Sequence, residues 1–107
     1  MVDGRPCFHV SLVMDVSPNC DCHGENDVPI VPNVGMFASF DPVALDQACI
    51  DAVLAQPKMP NSVIGSGEAC KCEDYFKAVH PDTDWESALT HGEKIGLGSR
   101  EYELVKI

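Results

Sequence analysis

A chain of 107 residues amounts to about one domain, long enough to bury a core without staples. Its 45% hydrophobic and 22% charged residues are ordinary globular proportions, but seventeen acidic against seven basic side chains leave −10 at neutral pH. Polyphosphate repels such a chain, which argues against nucleic acid and anionic membrane and leaves cations, metals, basic protein surfaces or plain solubility as the use of the charge.

The start, MVDGRPCFHVSLVMDV, lacks a basic region, an uninterrupted apolar stretch and a small-residue cleavage site, so no secretory signal is read there. From Cys7 to Val16, Phe8, Val10, Leu12 and Met14 alternate with Cys7, His9, Ser11 and Val13. The second set is only mildly polar, which predicts a strand covered on both sides. Asp15 to Val34 holds three prolines with several Asn and Asp residues and reads as a long loop, a length that is usually functional.

Val34 to Phe40 predicts a second buried strand. Asp41 then caps a helix that Pro42 opens, because proline costs nothing where the backbone N–H has no helical partner. The helix runs through VALDQACIDAVLAQ to just before Pro57. Apolar residues nearly encircle it, so it is expected to be largely buried. Pro57 to Gly67 is a linker by composition, and a short helix is expected around Tyr75 and Phe76. Thr83 or Asp84 caps a further helix, WESALTHGEKI, with Trp85, Ala88, Leu89, Gly92 and Ile95 on one stripe and Gly96 as its left-handed stop. After the Gly98-Ser99 turn, EYELVKI predicts a last strand. The fold class is α/β: one domain over residues 1–107, with a small sheet of few strands and covering helices.

No apolar run approaches the ~20 residues that span a bilayer. Without a signal the cytoplasm is expected, where thiols stay reduced and six cysteines are more often ligands or buried small hydrophobes than disulfides. Cys20 and Cys22 form one C-x-C pair, and Cys70 and Cys72 form another about fifty residues later. Four thiolates from two loops is the layout of a tetrahedral site for zinc or for an iron–sulfur centre. The x₁ spacing is read as needing a turn between the two cysteines, because an extended strand, rising roughly 3.3 Å per residue, would hold them too far apart to close on one metal. Asn19 and Gly24 permit such a turn. Asp21, Glu25 and Asp27 oppose a free thiolate at Cys20 or Cys22, which disfavours a nucleophilic role; a bound cation reverses that logic. His23 is a reserve ligand. Unpaired loop thiols, or a disulfide between the pairs on oxidation, are the alternatives. Cys7 and Cys49 read as core residues. No hydrolase signature, phosphate-cradling glycine motif or EF-hand spacing occurs, so no enzymatic activity is assigned.

NCDCHGENDVPIVPNVG, FASFDPVALDQACIDAV, HPDTDW and IGLGSREYELVKI, in this order, resemble the C-terminal part of a prokaryotic family described as iron–sulfur proteins and catalogued as domain of unknown function 362. Many of its members carry a ferredoxin-type insert for [4Fe–4S] clusters. That insert needs C-x₂-C-x₂-C runs, which this chain lacks. What matches the family is the Cys20–Cys22 element with the acidic residues after it, and Asp41 to Asp46; Cys70 and Cys72 lie in a stretch outside its motifs. The resemblance implies an incomplete part of a larger α/β fold, whose strands would recruit a homo-oligomeric or complementary partner. The expected function is an iron–sulfur-associated metal-binding domain with a redox or electron-transfer role in a larger assembly. The alternatives are a structural zinc module and a metal-free interaction subunit.

Overall fold

The computed structural model describes residues 6–20, 22–67 and 71–107. The first strand, β1 (His9–Val13), pairs antiparallel with β2 (Gly35–Ser39), with Val10 opposite Ala38 and Leu12 opposite Met36. Three helices follow: α1 (Pro42–Leu54), α2 (Tyr75–Val79) and α3 (Trp85–Lys94). This is a small α/β fold with a two-stranded sheet.

Helix α1 forms as its sequence dictates. The Asp41 carboxylate accepts the backbone N–H groups of Val43 (3.0 Å) and Ala44 (3.1 Å), donors that have no partner inside the helix. Val43, Ala44, Leu45, Ala48 and Val53 are buried, against the strands on one side and α3 on the other. Gly92 permits the close crossing of α3: a Cβ there would stand 2.9 Å from Val43 Cγ2. Helix α3 ends at Gly96, whose φ of +81° suits glycine, with Leu97 N–H donating to the Gly92 carbonyl.

The main core gathers Val13, Ile30, Val31, Val53, Ile64 and Tyr75, so the long loop and the linker both contribute to it. Among the described residues the sheet is covered on one face only. Val13 and Phe37 turn toward this core, whereas Phe8, Val10, Leu12 and Met14 are 46–63% exposed. The expectation of two covered faces is therefore corrected: among the described residues α1 packs on the strands from one side, and the second apolar face stays bare. The radius of gyration, 15.0 Å, exceeds the roughly 13 Å of a compact chain of this length.

The last strand is also corrected. Residues 101–107 form no strand, and a cleft of about 410 Å³ separates this tail from β2, between side chains that include Met36, Ala48, Tyr102 and Leu104. The tail is held instead by Tyr102, whose hydroxyl donates to Asp51 Oδ2 at 2.6 Å. Among the described residues no helix is long and apolar enough to cross a membrane.

Candidate metal centre

The loop between β1 and β2 is tied at two levels. At its base, Ile30 N–H donates to the Val16 carbonyl, Val34 N–H to the Val13 carbonyl, and Asp15 N–H to Asn33 Oδ1. Asp15 itself takes a positive φ of 49°, a conformation that Asp tolerates better than most residues and that turns the chain out of β1. Farther out, Asn26 crosses the loop. Its Oδ1 accepts the N–H groups of Asn19 (3.0 Å) and Asp27 (2.9 Å), while its Nδ2 donates to the Asn19 carbonyl (2.8 Å) and to Ser17 Oγ (3.0 Å). Asn19 returns a bond from Nδ2 to the Glu25 carbonyl. A compact surface loop closed by its own side chains results.

Cys20 and Cys22 sit exposed at the tip of this loop. His23 N–H donates to the Cys20 carbonyl at 2.9 Å, which closes a turn over the pair. This is the bend that the x₁ spacing requires. The two side chains interact: a hydrogen bond with Cys20, and then the charge of Cys20, push the Cys22 thiol up from its ordinary value. A pair of adjacent thiols that resist double ionisation is a poor nucleophile but a natural chelate for a soft cation, which displaces the protons and neutralises both sulfurs together.

Among the described residues Cys72 does not join Cys20 and Cys22. Cys72 is half-buried, with Sγ donating to the Asp74 carbonyl at 3.2 Å just before α2. His23 is exposed. Asp21 and Cys70 lie outside the described residues. Among the described residues no three His, Cys, Asp or Glu side chains come together as a metal shell. Cys49 packs against the core, where burial raises its thiol and a Ser11 hydrogen bond opposes the rise; Cys7 is half-buried outside that cluster.

His80 Nε2 meets the Pro18 carbonyl at 2.7 Å and ties the loop to the end of α2. Clefts flank that bond. One, about 280 Å³, has apolar walls from Val16, Ile30, Phe76, Val79 and Trp85; the other, about 340 Å³, opens beside Glu25 and Asp27. Sequence reasoning missed the roles of Asn26 and His80, and only the crowding of asparagines at both ends of the loop hinted at the first.

Residues 3–51 match the family model of a domain of unknown function, DUF362. This segment belongs to that family. It takes in β1, the cysteine loop, β2 and most of α1, so Cys20, Cys22 and His23 fall inside it and Cys72 outside. The likeness of HPDTDW and IGLGSREYELVKI to the family lies beyond the matched segment. No curated protein and no solved structure gives a significant match to the chain.

Proposed function

We propose that this DUF362 chain is a metal-binding, iron–sulfur-associated domain of the cytoplasm, with a redox or electron-transfer role in a larger assembly. One observation carries the reading: two thiols stand side by side on an exposed loop that Asn26 and His80 hold in place. The donors suit the group in kind, because thiolate sulfur selects iron–sulfur clusters and zinc over hard cations. In number, Cys20 and Cys22 supply half of a four-thiolate set. Cys70 and Cys72, or residues of another chain, complete it, with His23 in reserve. A bound cluster would contribute one-electron transfer; the chain's own part is to present paired sulfurs on a pre-formed turn, in a chain whose net negative charge favours a cation. The partner is a second copy or a complementary subunit.

Metal and acid-labile sulfide analysis with a visible spectrum, on protein purified without oxygen, tests this reading. Iron with sulfide and broad brown absorbance, both lost in Cys20→Ser/Cys22→Ser, is the expected result. Stoichiometric zinc without colour would replace the redox role with a structural one. Folded protein that takes up neither metal overturns the site.

A further inference from the structure

The bare face of the sheet is built from four cross-strand rungs. The register places Val10 beside Ala38 and Leu12 beside Met36. Alternation extends the series at both ends, to Phe8 with Phe40, whose ring centroids lie 5.0 Å apart, and to Met14 with Val34. Every residue on this face is apolar, and Met36 (69%) and Phe40 (64%) are among its most exposed. At such exposures the face leaves roughly 700 Å² of apolar surface in water, more than the 300–600 Å² of the largest patch on an ordinary monomer.

We infer that this face is a self-association surface, on which a second copy of the chain packs sheet to sheet. This rests on the larger-assembly part of the reading above and names the surface and the occupant. The area decides in favour of a stable contact: the face comes close to the roughly 800 Å² per partner of a standard interface before any rim is counted. The pattern decides in favour of a copy. Aromatic rings crowd one end of the rungs, and Leu12, Met14 and Met36 crowd the other. A two-fold axis crossing the strands at mid-face lays the Phe8–Phe40 end of each copy on the methionine end of its partner. Thioether sulfur packs well against ring edges, so the face is its own complement. The product is a four-stranded, two-layer sandwich, with α1 of each copy on the outside and layers about 10 Å apart.

No charged side chain lies on the rungs. Two chains of −10 nevertheless repel one another at a distance. Salt screens that repulsion and favours apolar burial, so association strengthens with ionic strength, the reverse of an interface held by ion pairs.

Sedimentation velocity on the full chain, run with chelator and with metal at low and high salt, tests the inference. A dimer is expected at concentrations on the order of 10 µM, metal or no metal, and tighter in high salt. Leu12→Lys, a change on an exposed strand position, should return the chain to monomer with its circular dichroism unchanged. Peroxide oxidation of Met36, read by mass spectrometry, should slow severalfold in the dimer relative to the Leu12→Lys monomer. A monomer under all conditions overturns the inference and leaves the metal reading standing. A dimer that Leu12→Lys does not weaken, or in which Met36 stays fully reactive, assigns association to another surface. A dimer that disappears with chelator alone assigns it to shared metal, which also overturns the apolar face. A wild-type chain that forms the expected dimer yet takes up neither iron nor zinc sinks the cysteine site and leaves the face intact.

Discussion

Asn26 holds Asn19 from both sides of the peptide chain, accepting its N–H through Oδ1 at 3.0 Å and donating to its carbonyl through Nδ2 at 2.8 Å. One side chain thereby closes a seven-residue gap and fixes the ring of backbone from which Cys20 and Cys22 project. The cysteines need no burial to be ordered; they need this tie.

Asn26→Ala removes both halves of the clamp and leaves the turn between residues 20 and 23 unsupported. Each of its two bonds to Asn19 contributes about 1 kcal/mol to holding the loop closed. Hydrogen exchange at the Asn19 amide should therefore quicken at least fivefold, while the β1 amides keep their protection. Under the metal reading, affinity for a soft cation falls as well, because the thiols must then be ordered on binding. Unchanged Asn19 exchange would show that the loop is held by its base alone.

Asp41 is the second organising side chain. Its Oδ1 caps α1, and its Oδ2 accepts Ser99 N–H at 2.9 Å, so one carboxylate joins the β2–α1 corner to the turn after α3. Loss of a helix cap costs about 1–2 kcal/mol. Asp41→Ala should lower the melting temperature by roughly 5–10 °C. Gly98→Ala attacks the same junction from the other side, since its new Cβ would run into the Asp41 carboxylate, and it should destabilise by about 1–3 kcal/mol. Thermal melts of the two single variants and the double variant check the shared origin: the combined loss should fall short of the sum.

These junctions also show which parts of the fold can be read without coordinates. Asp41-Pro42 announces α1 because a cap and its helix are contiguous in the chain, and Gly96 announces the end of α3 for the same reason. The alternation of Phe8, Val10, Leu12 and Met14 announces β1, but periodicity reports only that one face is apolar and the other mildly polar, not how many layers the chain has with which to cover them. EYELVKI carries strand chemistry and still forms no strand, because pairing needs a neighbouring edge at hydrogen-bonding distance and a cleft stands between the tail and β2. The Cys20–Cys22 pair was legible, since a turn at Asn19 and Gly24 is a local matter. The clamp from Asn26 and the bond from His80 to Pro18 were not, because each joins residues whose nearness is decided by how the loop closes and docks.

The tail offers a pH-dependent readout of that docking. The Tyr102 phenol is pushed up to about 12, chiefly because it donates a hydrogen bond to Asp51, with partial burial and the charge of Asp51 adding to the shift. An unfolded or released tail would ionise near the ordinary value of about 10. The folded value is the higher one, so the contact contributes its full stabilisation below pH about 10 and loses it as pH rises through about 12. Tyrosinate absorbance, followed in a Tyr75→Phe background so that one phenol reports, should show this late transition. Asp51→Asn keeps an acceptor and removes the charge, and it should bring the transition back toward 10. A titration near 10 in the unsubstituted Asp51 protein would place Tyr102 in water and detach residues 101–107 from α1.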